Sequence, residues 1–221
     1  MKFLRFEDFL IIEGVTTILS RISQEEPYTV NDMDDYINRL KIQYKAKTIG
    51  GGASAEILET PSREIIKVFS PNNDPAMTRF LSFAFDNLRN PLVPKIKEIR
   101  RVRATEEDRW ICSVEMENLR PLSNSTSKKI DEFLHNEKWK ELKMTDLKSN
   151  RKMLDQFFLE FTDTISEFSS ASKREMSDLI SFLKGHVEKY PEGIDFGAQN
   201  WMLRGSDIVL IDPFWPGFSK D

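Results

Sequence analysis

One cysteine, Cys112, stands among 221 residues, which excludes a disulfide framework within the chain. Its neighbours Ile111 and Val114 suggest a buried strand. Histidine is nearly as scarce, and His135 and His186, without cysteine partners, give no zinc pattern. An excess of positive charge is also missing: 32 Lys and Arg face 36 Asp and Glu, a net charge of −4. Affinity for a phosphate backbone needs clustered cations, so a general nucleic-acid binder is excluded. The one basic run, Arg100, Arg101 and Arg103, is short and fits a solvated strand end or turn. Met1 to Arg5 intersperses charges among apolar residues, so this stretch is neither a signal peptide nor a membrane span, and a soluble cytoplasmic protein is the expectation. What the chain does have is apolar material, 39% hydrophobic residues with 16 Phe, enough to bury a core as one domain or two small lobes.

Apolar residues from Phe6 to Ile22 fall at roughly helical spacing, interrupted by Gly14. A second helix, capped by Asn31, carries Met33, Tyr36, Ile37 and Leu40 on one face. After residue 43 the pattern changes to short segments, 46–50, 55–58 and 64–69, bounded by Gly, Pro, Ser and Asn, which predicts a small antiparallel sheet. A helix over 75–87 and strands over 97–102 and 110–116 follow. The next third is helical, weakly at 128–134, then with Leu154, Phe157, Phe158, Phe161, Ile165 and Phe168 on one face, then with Met176, Leu179, Ile180, Leu183 and Val187. A loop over 191–199 leads to a hairpin with arms 201–203 and 208–211. The organisation is a helical extension over 1–43, a sheet-rich segment over 44–120 and a helix-rich segment over 121–221, an α+β pattern without repeats.

Three signals carry chemistry. Ile49-Gly50-Gly51-Gly52-Ala53-Ser54 lies between two strands, and glycines there let a backbone approach phosphate oxygens. A flexible hairpin turn explains the same glycines. A strand, not a helix, follows them, and no Gly-Lys-Ser/Thr closes the run, so neither a Rossmann turn nor a P-loop fits. The second signal is Lys67, flanked by Ile65, Ile66, Val68 and Phe69 on a predicted strand, where a lysine either snorkels outward or reaches inward to an anion. The third is Asp195 with Asn200, five residues on, followed by the hairpin and by Ile211-Asp212-Pro213. Phosphoryl transfer needs a carboxylate at the attacking hydroxyl, and an amide oxygen with a second carboxylate for magnesium. Taken singly, each is an ordinary turn or cap residue; taken in order, they supply those three groups.

This order of glycine turn, strand lysine, Asp-x4-Asn loop and strand-end Asp resembles that of protein kinases and their aminoglycoside-kinase-like relatives, over about residues 44 to 215. The run from Tyr44 through the glycines, Glu64 to Val68 and Pro91-Leu92-Val93-Pro94 is most similar to the early-expressed, host-shutoff serine/threonine kinases of podophages. The resemblance implies a protein-kinase-like, two-lobed α+β fold with a small antiparallel-sheet lobe and a reduced helical lobe. It implies ATP and Mg2+ as cofactors. Gly50, Gly51, Gly52, Ala53 and Ser54 would cover the phosphates and Lys67 would contact them. Met116 would be the gatekeeper, Glu117 and Leu119 would offer backbone groups to adenine, Asp195 would be catalytic, and Asn200 and Asp212 would hold the metal. The implied partner is a host protein substrate, with no nucleic acid and no membrane.

The chain departs from the pattern in several places. Asp195-Phe196-Gly197 spells the kinase magnesium motif, but its spacing from Asn200 marks it as the catalytic loop, which leaves Asp212-Pro213 for the metal. Gly193 stands where most kinases have histidine, and Gly197 where many have lysine. The helix over 75–87 has no glutamate for Lys67, Asp86 being its only acid. Fewer than ten residues follow Asp212, so no activation segment is expected. Three functions stay open: a minimal serine/threonine protein kinase, a small-molecule kinase of the aminoglycoside type, and a non-catalytic module that uses the fold to grip a partner.

Overall fold

The structure is a computed structural model that describes residues 6–51, 55–106, 108–135, 150–190 and 193–215, with side chains from residue 14 onward. It divides into two compact units, Met1–Asp86 with Lys95–Asn118, and Asn87–Pro94 with Leu119–Asp221.

The first unit contains α1 (Phe6–Ile22), β1 (Gln24–Val30), α2 (Met33–Tyr44), β2 (Lys47–Gly51), β3 (Ala55–Glu59), β4 (Ile65–Phe69), α3 (Pro75–Asp86), β5 (Ile96–Ala104) and β6 (Arg109–Met116). Its six strands form one sheet in the order β1-β5-β6-β4-β3-β2, antiparallel throughout except where β1 runs parallel to β5. Side chains alternate between faces of a strand. On one face Leu58, Ile66, Val68, Val102, Ala104 and Ile111 close a core with Tyr36, Ile37 and Leu40 of α2. The hydroxyls of Tyr36 and Ser113, 2.8 Å apart, satisfy each other inside it.

The start of the chain differs from expectation. Gly14 does not interrupt α1; the helix is continuous, because burial of Val15, Leu19 and Ile22 outweighs the roughly 1 kcal/mol propensity deficit of one glycine. The cap of α2 is Asp32 and not Asn31: the Asp32 carboxylate accepts from the Asp35 amide at 2.8 Å, and the Asn31 amide donates to the Asp35 carboxylate. At its other end Lys45 adopts a left-handed backbone, φ 51°, and returns its N–H to the Lys41 carbonyl. Residues 24–30, where the sequence suggests no element, form β1. A strand paired on one side only tolerates the polar run Gln24 to Pro27, since Pro is admitted at sheet edges. Residues 1–43 therefore supply a strand and a covering helix to the sheet rather than a separate extension.

The second unit holds β7 (Arg120–Pro121), α4 (Asn124–Leu134), α5 (Arg151–Ser166), α6 (Lys173–Lys189), β8 (Gly193–Ile194), a 3-10 turn (Ala198–Asn200), β9 (Trp201–Arg204), β10 (Asp207–Leu210) and β11 (Phe214–Trp215). Ser123, Asn150 and Ser172 cap the three helices, the last through a full capping box with Glu175. The Phe stripe of α5 is core, as its spacing predicts. Segment 87–94 is fastened to this unit: the Arg204 guanidinium donates to the Pro91 and Val93 carbonyls at 3.0 and 2.8 Å, and the Leu210 amide donates to the Leu92 carbonyl at 2.9 Å.

The fold class is α+β, an antiparallel sheet unit with a helix between its fourth and fifth strands and a helix-rich unit ending in hairpins. This is the succession that the kinase resemblance implies. Among the described residues no helix is long and apolar enough to cross a membrane.

Helix α1 lies against α3, and Arg21 there donates to both carboxylate oxygens of Asp86, at 2.7 and 2.8 Å. Both partners of this pair are half exposed, so packing, not charge, carries the attachment. Leu19→Ala is expected to cost about 2–5 kcal/mol, and Arg21→Ala far less. Urea denaturation of the two variants checks the order; a larger loss from Arg21→Ala would make the attachment electrostatic.

Candidate functional site

Cross-strand register brings the glycine turn and the lysine into one row. Gly50 pairs with Ile57, Ile57 with Lys67, and Lys67 with Val114, so all four lie on one line across the sheet. Two strand spacings, about 10 Å, separate Gly50 from Lys67. Ile66 and Val68 face α2, so Lys67 sits on the opposite face, and it is only 8% exposed. Gly51 is small for a reason: a Cβ there would lie 3.2 Å from the Ala55 carbonyl, where the two arms of the hairpin converge. Gly52, Ala53 and Ser54 lie outside the described residues.

This hairpin is tied to α2. The Glu56 carboxylate of β3 accepts from the Thr48 hydroxyl of β2 at 2.6 Å and from the Lys41 ammonium of α2 at 3.2 Å. The Thr48 hydrogen bond, with Lys41 second, holds the Glu56 carboxyl below its ordinary range.

Beyond β6, the Glu117 amide donates to the Lys95 carbonyl at 3.2 Å, while its carboxylate accepts from the Lys95 amide at 2.7 Å. The N–H of Glu117 is thus spent within the protein, and any backbone group it gives a base is its carbonyl. Met116 closes β6 at 8% exposure, and Leu119, 7% exposed, falls in the second unit. On α3, Asp86 is engaged by Arg21. A buried acid that the sequence reading passes over, Asp74, precedes α3 and accepts from the Met77 amide at 3.0 Å. Its signal was the Asp-Pro pair at a helix start.

In the second unit the three predicted polar residues are brought together by the main chain. The Asp195 amide donates to the Pro213 carbonyl at 2.8 Å, and β8 and β11 pair Ile194 with Phe214. The Ile211 amide donates to the Asn200 carbonyl at 2.8 Å. The Asn200 side-chain amide donates to the Asp195 carbonyl at 3.0 Å. Asp212 is therefore flanked by residues bonded to the two ends of the Asp195–Asn200 loop. Phe196 turns the opposite way, 4% exposed, stacked on Phe161 at 4.1 Å, and its carbonyl accepts from the Trp201 indole. Burial of Phe196 anchors the loop, while Asp195, Asn200 and Asp212 each keep part of their surface exposed.

These residues fit a magnesium ion. The Asn200 nitrogen is committed to the Asp195 carbonyl, so the atom the side chain can offer a cation is its oxygen; the Asp212 carboxylate is the second hard donor. Among the described residues no group of three His, Cys, Asp or Glu could hold a metal without help. Magnesium shared between one or two protein oxygens and a substrate phosphate suits such a sparse set.

No protein-family model and no curated protein matches the chain. Among solved structures, it is similar to the streptomycin–ATP ternary complex of APH(2'')-IIa, with 17% identity over 85% of this chain and 74% of that one, at a TM-score of 0.30. It is also similar to the ADP-bound aminoglycoside phosphotransferase APH(2'')-Ib, with 16% identity over 81% and 71% of the two chains and a TM-score of 0.30. For the gentamicin complex of APH(2'')-IIa the figures are 15%, 83%, 70% and 0.33. At such scores the likeness carries no weight for the reaction, and the narrower resemblance to phage host-shutoff kinases has no counterpart among the three.

Because the Glu56 carboxyl is depressed in the folded state, its contribution to stability is present above its ordinary value of 4.5 and is lost as pH falls through the depressed value. The stability gap between the parent and Glu56→Gln should therefore be widest near neutrality and close in acid. Denaturant midpoints measured from pH 7 to pH 2 check this, and a gap that stays constant would make the contribution non-ionic.

Proposed function

We propose that this chain is an ATP- and magnesium-dependent phosphotransferase that moves the terminal phosphoryl group of ATP to a hydroxyl. The observation that carries the reading is the cross-linked loop in which Asp195, Asn200 and the Asp212 segment are joined by main-chain hydrogen bonds. In this reading the acceptor hydroxyl docks against Asp195, whose carboxylate orients it and takes its proton. The acceptor oxygen bonds to the terminal phosphorus, the bridging oxygen leaves with ADP, and charge on the transferring group is met by fixed cations and donors. Lys67 serves the phosphates from the same row as Gly50, with Gly51, Gly52, Ala53 and Ser54 completing the cover. Glu117 and Leu119 border the base. Asn200 and Asp212 would hold Mg2+, which when bound neutralises phosphate charge and bridges phosphate oxygens.

The site chemistry is indifferent to which hydroxyl is used. One acceptor class is a serine or threonine of a protein, a host protein in the phage-kinase version of the reading. The other is a small hydroxyl-bearing amine of the kind named for the similar solved structures. A partner-gripping module without catalysis is the reading that remains if neither is phosphorylated.

Incubating the parent, Asp195→Asn and Asp212→Ala with labelled ATP, Mg2+ and either bacterial lysate or a panel of aminoglycosides tests the reaction and its acceptor together. Asp195→Asn should lower transfer by about 10²- to 10⁴-fold with ATP affinity nearly intact. Asp212→Ala should lose both transfer and Mg2+-dependent ATP binding. Parent-level transfer by both variants would overturn the assignment.

A further inference from the structure

Position 197 is a glycine with no backbone reason to be one. Its φ of −49° and ψ of 147° are open to any residue. What forbids a side chain is a neighbour: a Cβ on Gly197 would lie 2.3, 2.4 and 2.6 Å from the Nε2, Oε1 and Cδ atoms of Gln199, and these are its three nearest contacts. Gln199 in turn aims its amide at the carboxylate of Asp195, with Nε2 at 3.5 Å from Oδ1 and 3.4 Å from Oδ2. An ionised carboxylate can only accept, so Nε2 is the end that belongs there. From the other side the Gly197 amide donates to Oδ1 at 3.0 Å.

Resting on the phosphotransferase reading above, we propose that Gln199 is a positioning residue for Asp195, and that residue 197 is glycine to leave room for it. The backbone around Gln199 is already fixed. It lies in the 3-10 turn whose last residue, Asn200, bonds through its amide to the Gly197 carbonyl and through its side chain to the Asp195 carbonyl. From that base, one amide spans both carboxylate oxygens and limits rotation of the carboxylate about its last torsion. The bonds are long, and catalytic contacts commonly tighten when substrate enters. Many of the kinases that the sequence resembles carry lysine at position 197. A neutral amide reaching in from position 199 orients the carboxylate without setting a positive charge beside it.

The displaced atoms would be the far end of a flexible side chain, so Gly197→Ala can fold normally while pushing Gln199 aside. This makes a double-mutant cycle the test. The parent, Gly197→Ala, Gln199→Ala and the double variant are compared for kcat and for KM of ATP on the acceptor found for the parent, with melting temperatures alongside. Gln199→Met, of similar length but without a donor, is the fifth protein. Each single variant is expected to lose on the order of tenfold in kcat at unchanged KM and unchanged melting temperature, and Gln199→Met should match Gln199→Ala. The double variant should be no worse than either single one, since both remove the same contact. Losses that multiply, or a Gln199→Ala protein with the parent's kcat, overturn the proposal while leaving the phosphotransferase reading standing. A parent that transfers phosphate to no acceptor overturns that reading, and this one with it.

Discussion

The candidate site depends first on how the two ends of the Asp195–Asn200 loop are tied to the segment around Asp212. A carboxylate meant to meet a substrate must keep part of its surface in water, and so cannot be positioned by burial. Here the positioning is done by backbone: the Asp195 amide on Pro213 and the Asn200 carbonyl on the Ile211 amide, with Asn200 folding back onto the Asp195 carbonyl. Burial enters one residue away, where Phe196 is driven into the Phe157, Phe158, Phe161 and Trp201 cluster. Apolar burial supplies the free energy, and directed hydrogen bonds convert it into geometry.

The sheet unit solves a related problem with different means. A hairpin rich in glycine has little side-chain packing of its own and would wander unless held at its base. Thr48 and Lys41 converge on Glu56 there, so the hairpin is fixed to α2 on the side away from Lys67. The same helix closes the core on that side through Tyr36, Ile37 and Leu40. Residues 1–43 thereby become structural support for the row that carries Gly50 and Lys67, with α1 doing for α3 what α2 does for the sheet.

Much of this was legible in the sequence, and the failures have physical causes. Strands β3, β4 and β6 and the Phe stripe of α5 announce themselves because their side chains sort by burial with period 2 or 3.6. The Asp195, Asn200 and Asp212 set was readable because its members follow one another in short, turn-punctuated spacing. Strand β1 was not, since Gln24 to Pro27 bury almost nothing and the strand exists through pairing with β5, a partner far along the chain. The Asp32 cap was misassigned by one residue because Asn31 and Asp32 both suit the position, and only the geometry chooses. Gln199 was invisible for a different reason: a polar residue in a polar loop has no pattern, and its meaning appears only when the space above Gly197 is measured.

Lys67 bears on the missing α3 glutamate. An ammonium held at 8% exposure carries a desolvation cost that an aliphatic side chain at the same point would avoid, and the rest of its strand, Ile65, Ile66, Val68 and Phe69, is aliphatic or aromatic. Packing alone therefore gives no reason for lysine at the centre of the row. Asp86 is turned to Arg21, so the acid that the sequence offers on α3 is committed elsewhere. Strong negative charge brought by a phosphate chain is the kind of partner that repays such a cost. A lysine that meets its anion mainly when substrate arrives, rather than resting on an α3 carboxylate beforehand, is the arrangement most consistent with a brace of apolar contacts between α1 and α3 in place of a charge switch.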